Sequence, residues 1–132
     1  MRERPLSPHL SIYRPQITSV LSILHRGTGV ALYVGAFVLA ALIISLGYGE
    51  SCFVAARALF DTTLGCIVLY GLIFCLFYHL CNGIRHLAWD MGKGFELSTV
   101  TLSGLLVLVA SISLTLAIWF IAHPEFLRQI QP

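Results

Sequence analysis

The chain has 132 residues, of which 58% are apolar and 11% are charged, and its formal net charge is +2. A soluble domain carries about 25% charged residues, so the composition excludes an ordinary soluble fold and indicates a membrane protein. The few charges form no basic stripe with interleaved aromatic residues, which argues against nucleic acid as a partner.

Residues 1–26 are interpreted as a polar leader that ends in an amphipathic interfacial segment. At helical spacing, apolar residues fall on one face of this segment, and Ser22, His25 and Arg26 gather on the other. Ser22 and Arg26 are four residues apart, so a hydroxyl and a guanidinium become neighbours. Two interpretations stay open: a helix in the interface with Arg26 reaching the lipid head groups, or a polar pocket that hydrogen-bonds a carbonyl or carboxylate.

Three segments contain no Asp, Glu, Lys or Arg: residues 27–49, 62–84 and 97–122. Each meets the roughly 20 residues that a helix needs to cross the hydrocarbon of a bilayer. The sequence therefore predicts an all-α membrane protein with a three-helix transmembrane domain over 27–122 and a short tail, 123–132, on the opposite side. Gly, Ser and Thr in each segment favour close packing against other helices.

His79 lies inside the second charge-free segment, where an ionisable group is costly and indicates function. One interpretation is a neutral histidine that hydrogen-bonds a neighbouring helix. The other is a haem ligand, because neutral imidazole binds iron and Gly83, one turn on, lets a flat macrocycle approach the backbone.

The haem interpretation implies a second membrane subunit. Two axial nitrogens must face each other across one iron, and His79 and His86, two turns apart on one helix, cannot do so. The remaining histidines, His25 included, are predicted at or beyond the membrane boundaries, so the opposite ligand is expected from a partner chain. We therefore expect the three helices to belong to a bundle shared with that subunit.

Two residues at the end of the second span keep open interpretations. His86 either supports a haem propionate or a proton path, or is a solvated interface residue. Asp90 either relays protons or serves as a helix cap or loop ion-pair partner.

Basic residues predict the orientation. Six fall on one side of a three-crossing topology and two, Arg57 and Arg128, on the other; the six are Arg2, Arg4, Arg14, Arg26, Arg85 and Lys93. The positive-inside bias places the N-terminus in the cytoplasm of a bacterium, with the chain in the inner membrane, or alternatively in the mitochondrial matrix. The start of the first helix and the end of the second then meet at the inner face.

Two stretches, RPLSPHLSIYRPQITSVLSILHRGTG (4–29) and HLCNGIRHLAWDMGKG (79–94), carry a resemblance to a known family. With three membrane segments in the matching order, the chain resembles the cytochrome b membrane-anchor subunit of succinate dehydrogenase, respiratory complex II. The specific parts are the SPH leader, S-x-x-H-R-x-T-G and H-x-x-x-G-I-R-H-L-x-W-D, whereas the third helix is generic.

The resemblance implies a set of roles. His79 matches the axial ligand of haem b, whose other ligand comes from the second anchor subunit, and His25 matches a position near the haem propionates. Ser22 and Arg26 match residues of the ubiquinone site, and Asp90 matches an acid implicated in proton delivery. In the family, a flavoprotein subunit and an iron–sulfur subunit oxidise succinate and pass electrons to ubiquinone.

Two other functions are weighed against this one. A fumarate reductase anchor would use similar parts in reverse. A small membrane transporter or a scaffold without cofactor would carry an intramembrane acid or no coloured group, and every Asp and Glu here lies outside the charge-free segments.

Overall fold

The structure, a computed structural model, describes residues 12–125. Its α-helices are α1 (Ile17–Gly47), α2 (Glu50–Ala58), α3 (Thr63–Asp90) and α4 (Leu97–Ala122), with a 3-10 turn at Leu59–Asp61. Three of them, α1, α3 and α4, are long and apolar enough to cross a membrane, which confirms the predicted fold class. The SPH leader and most of the tail, with Arg2, Arg4 and Arg128, lie outside the described residues.

Helix α1 begins well before the first charge-free segment. It starts at Ile17, just after Pro15 and Gln16, and continues without a break for 31 residues. At 1.5 Å per residue it is about 46 Å long, more than the roughly 30 Å of hydrocarbon that a span must cross. The segment interpreted as interfacial and the first span are therefore one helix, and Ser22, His25 and Arg26 lie in its first three turns.

The connection between the first two spans is more regular than a loop. Gly49, with φ of 111°, reverses the chain, and α2 then carries Glu50 in its first turn and Arg57 in its last, as the helix dipole favours. The Thr62 hydroxyl accepts a hydrogen bond from the Gly65 N–H at 3.0 Å and caps α3. A side chain on Gly65 would collide with the backbone of the 3-10 turn.

The three long helices pack most closely at one end. Leu21 of α1, Tyr78 of α3 and Val107 of α4 are buried together, and the Tyr78 hydroxyl donates to the Leu21 carbonyl oxygen at 2.9 Å. Gly104 of α4 allows this approach, since a Cβ there would lie 2.6 Å from Leu21 Cδ1. We call this the N-terminal end of the bundle: the start of α1, the last turns of α3 and the start of α4.

The chain buries little of its own apolar surface. In the most apolar 18-residue stretch of each long helix, few residues are buried by the rest of the chain: 6% in α1, 6% in α3 and 11% in α4. The outward faces of all three helices must therefore contact lipid or other membrane subunits.

Candidate functional site

His79 points from α3 towards the first turns of α1. Its Nδ1 lies 3.1 Å from the backbone carbonyl oxygen of His25 and 3.4 Å from the Thr28 hydroxyl. Gly29 makes room for the ring, because a Cβ on Gly29 would stand 3.1 Å from His79 Cε1. The imidazole is thus held between two helices by contacts to α1.

These contacts define which nitrogen of His79 is available for binding. A carbonyl oxygen can only accept, so Nδ1 carries the proton and donates to His25. Nε2 then keeps its lone pair, and it makes no hydrogen bond within residues 12–125. Metal-binding histidines usually donate their other ring N–H in this way to a carbonyl or carboxylate, which fixes the tautomer and ring orientation.

Two more histidines join His79 in what we call the histidine cluster: His25, His79 and His86. The His25 and His79 rings stack with centroids 3.9 Å apart and planes at 11°, and the His25 and His86 centroids are 5.2 Å apart. Since α3 is unbroken to Asp90, His79 and His86 lie on one stripe and His25 fits between them. The His25 Nδ1 atom is buried and has no hydrogen-bond partner among the described residues.

The sequence did not predict the contact between His25 and His79. The sequence places it at the membrane boundary, away from His79, because the charge-free segment starts only at residue 27. The structure instead stacks the two rings, since α1 begins at Ile17 and crosses α3 at this level. Even so, parallel rings 3.9 Å apart face each other with their flat surfaces, so their nitrogens cannot bind one iron from opposite sides.

The structure does not join the other sequence-predicted residues to this cluster by direct contact. Ser22 is half-buried and Arg26 is exposed, one turn apart on α1, and Asp90 is the exposed last residue of α3. None of the three makes a side-chain hydrogen bond, ion pair or ring contact to another part of the described chain. Within residues 12–125, the Ser22 hydroxyl and the Arg26 guanidinium therefore have no side-chain partner.

A second polar group, absent from the sequence-based prediction, lies between α3 and α4. Arg85 is 6% exposed, although it was expected at the membrane boundary. Its Nε donates to Ser103 Oγ at 3.0 Å and its Nη2 to the Val100 carbonyl oxygen at 2.9 Å. Its Nη1 lies 3.5 Å from Asn82 Oδ1, and its Cζ lies 4.0 Å from the centroid of the Trp89 ring. We call Asn82, Arg85, Trp89 and Ser103 the arginine cluster.

A signal for the arginine cluster is present in the sequence. Tyr78, Asn82, Arg85 and Trp89 recur at helical spacing on one stripe of α3, next to the stripe of His79. The stripe identifies which α3 residues share a face. It does not identify Ser103 and Val100, which come from α4.

Comparisons with known proteins place the chain in a family. Residues 1–118 match the family described as succinate dehydrogenase/fumarate reductase transmembrane subunit, and the chain belongs to this family.

The relatives with similar sequences are named as succinate dehydrogenase subunits only. The chain is 47% identical over 117 residues to the succinate dehydrogenase cytochrome b556 subunit of Rickettsia typhi, covering 89% of this chain and 91% of that protein. It is 41% identical over 111 residues to the mitochondrial succinate dehydrogenase cytochrome b560 subunit of Sus scrofa, covering 83% of this chain and 66% of that protein. These names agree with the resemblance to a cytochrome b membrane-anchor subunit of succinate dehydrogenase.

Proposed function

We propose that this chain is the membrane-anchor subunit of a succinate:ubiquinone oxidoreductase. In this role it binds haem b together with a second anchor subunit and forms part of the site where ubiquinone is reduced with electrons from the iron–sulfur subunit. The observation that carries the proposal is the orientation of His79, whose Nδ1 donates to the His25 carbonyl so that Nε2 is available to a metal. Family membership and the cytochrome b names of the relatives support it.

The residues present fit a haem group. His79 Nε2 would be one ligand of the iron, and because the stacked His25 ring could not be the second, a residue of the second anchor subunit would supply it. His25, whose Nδ1 has no hydrogen-bond partner among the described residues, is proposed to lie near the haem propionates, as the family resemblance implies. His86, in ring contact with His25, completes this polar surface. When bound, haem b supplies reversible one-electron chemistry within the membrane.

Ser22 and Arg26 are proposed to bind ubiquinone. The Ser22 hydroxyl would hydrogen-bond a quinone carbonyl oxygen, and the exposed Arg26 would place positive charge where negative charge develops on the quinone as electrons arrive. The polar face of α1 places the two residues one turn apart. Reduction also requires two protons, and Asp90, exposed at the end of α3, is positioned at the same end of the bundle to deliver them from water.

The other subunits and the membrane complete this proposal. Succinate oxidation belongs to a flavoprotein subunit and the iron–sulfur subunit, and the relatives' names favour succinate oxidation over fumarate reduction. Among the described basic residues, Arg57 lies at one end of the bundle, and the other four lie at the N-terminal end: Arg14, Arg26, Arg85 and Lys93. The positive-inside rule then places the N-terminal end at the cytoplasmic or matrix face of an inner membrane.

Replacing Arg26 tests the quinone part of the proposal. In the assembled complex, Arg26→Leu should lower ubiquinone reduction by succinate at least tenfold, the loss expected from one charged transition-state contact, while reduction of an artificial dye stays close to wild type. Arg14→Leu, which removes an exposed arginine before α1, is the matched control and should leave both rates unchanged. Equal loss of both activities in Arg26→Leu would contradict a specific role at the quinone.

A further inference from the structure

Arg85 carries a positive charge at a buried position. Its side chain is 6% exposed, and its hydrogen-bond partners are neutral: the Ser103 hydroxyl, the Val100 carbonyl oxygen and the Asn82 amide oxygen. The ring of Trp89, which is also neutral, lies 4.0 Å from the guanidinium carbon. These contacts use the nitrogens of the guanidinium as donors, but none of them neutralises its charge.

No carboxylate within the described residues pairs with this guanidinium. The acidic residues nearest to it in the sequence, Asp90 and Glu96, are exposed, and neither makes an ion pair with Arg85. An apolar side chain of α1 comes close instead, since a Cβ on Gly104 would lie 3.7 Å from Arg85 Nη2 and 3.8 Å from Ile17 Cδ1. A charge in such surroundings is screened much less than a charge in water.

The buried charge lies close to the histidine cluster. Arg85 follows His79 by six residues, about 9 Å along α3 at 1.5 Å per residue. Tyr78 and Asn82 belong to the same turns of α3, and Leu21 packs against Tyr78 from α1. The exposed fraction of these three side chains is 1% or less. The charge of Arg85 therefore acts on the histidine cluster through buried protein rather than through water.

We propose that Arg85 raises the reduction potential of a haem bound at His79. This role rests on the proposed function, because it requires haem at His79 and an electron from the iron–sulfur subunit. A fixed positive charge favours the redox state with less positive charge, which is the reduced one. Coulomb's law, with an effective dielectric constant of about 20 and a separation on the order of 12 Å, gives roughly a tenfold change in the equilibrium constant of reduction. Arg85 acts through its charge and is not itself a ligand.

The test is a potentiometric titration of haem b in the assembled complex, followed by its reduced-minus-oxidised absorption. Arg85→Gln removes the charge and keeps a hydrogen-bond donor, whereas Arg85→Lys keeps the charge and loses the fork of donors. Arg85→Gln should lower the equilibrium constant of one-electron reduction about tenfold, or about 59 mV, and Arg85→Lys should stay close to wild type. Lys93→Gln removes an exposed cation at the same end of the bundle and is the matched control, with no change expected.

Asn82→Asp is a second variant that serves if Arg85→Gln does not assemble. The carboxylate would neutralise Arg85 at the existing contact between Nη1 and the side-chain oxygen. No hydrogen bond of the described chain is lost, because Asn82 Nδ2 has no partner among the described residues. The equilibrium constant of reduction should fall at least tenfold here as well.

Three outcomes would overturn the proposal. One is a haem whose potential is unchanged in Arg85→Gln or Asn82→Asp. Another is an equal fall in Arg85→Gln and Arg85→Lys, because altered packing rather than charge would then explain both. The third is a wild-type complex without haem, which refutes the proposed function and this role with it, and the absorption spectrum reveals that before any titration.

Discussion

His79 and Arg85 lie fewer than two turns apart on α3, yet their polar atoms have different partners. Arg85 donates its hydrogen bonds within the chain, to Ser103 and Val100 of α4 and to Asn82 of α3. His79 uses one nitrogen, Nδ1, on the backbone of α1 and leaves Nε2 without a partner in the described residues. Contacts of the first kind hold helices together, whereas those of the second kind orient a side chain towards a group from outside.

The two clusters also differ in how their hydrogen bonds are distributed. In the arginine cluster all three nitrogens of the Arg85 guanidinium have partners within the chain, although Asn82 Nδ2 is buried and has none among the described residues. In the histidine cluster His25 Nδ1 is likewise buried without a partner among the described residues, and His79 makes its hydrogen bonds through Nδ1 alone. We therefore expect variants of the arginine cluster to change stability and variants around His79 to change the spectrum of a bound cofactor.

The largest effect is expected from Arg85→Ala. It removes two hydrogen bonds from α3 to α4, together with one hydrogen bond and one ring contact within α3. The free energy of unfolding should therefore fall by about 2 kcal/mol. Thermal unfolding of the purified complex measures this, with Arg14→Ala as the control at an exposed arginine. The haem absorption spectrum of the complex that still assembles should be unchanged. A shifted absorption maximum together with normal thermal stability would contradict a structural role for Arg85.

Gly29→Ala should act on the histidine cluster. Its Cβ would stand 3.1 Å from His79 Cε1, so the ring must shift by a few tenths of an ångström. We expect a lower haem content or a shifted absorption maximum, measured per assembled complex. Gly27→Ala is a close control, because it raises helix propensity by the same amount of about 1 kcal/mol while its Cβ meets nothing within 4 Å. Identical spectra in the two variants would show that the approach of His79 to α1 does not position a haem ligand.

A smaller effect is expected from Thr28→Val. The Thr28 hydroxyl donates to the His25 carbonyl oxygen at 2.9 Å, the same oxygen that accepts from His79 Nδ1. Without it Nδ1 is the only side-chain donor to the carbonyl oxygen, at 3.1 Å, and this gain outweighs the loss of the longer 3.4 Å contact between Nδ1 and the Thr28 hydroxyl. The imidazole then becomes more basic, which favours oxidised iron. The midpoint potential of the haem should fall by an amount on the order of 40 mV, and Thr28→Ser should restore it. A potential that rises, or serine that fails to restore it, would contradict this orientation of His79.

The sequence predicted the architecture well because membrane spans depend on local composition. The absence of charge over 27–49, 62–84 and 97–122 identifies three helices, and the structure confirms them. It did not predict α2, since nine residues with both apolar and charged side chains give no distinctive signal. It also did not predict that the interfacial segment and the first span form one helix, because charge-free segments mark only the apolar part of a helix that continues beyond the hydrocarbon.

The site was predicted less completely, because contacts between helices depend on how they cross. The spacing of His79 and His86 on α3 follows from the sequence, but the stacking of His25 requires the register of α1 against α3. Arg85 was interpreted as a boundary residue, since its partners Ser103 and Val100 come from another helix. Ser22, Arg26 and Asp90 make no side-chain hydrogen bond, ion pair or ring contact within residues 12–125, so their roles at a quinone remain predictions.

The most direct test of the central claim is the reduced-minus-oxidised absorption spectrum of complexes that carry His79→Leu or His86→Leu. If His79 Nε2 binds the haem iron, His79→Leu should lose the low-spin haem b spectrum, and His86→Leu, two turns along the same stripe, should keep it. A normal low-spin spectrum in assembled His79→Leu complex would contradict the assignment of His79 as the ligand.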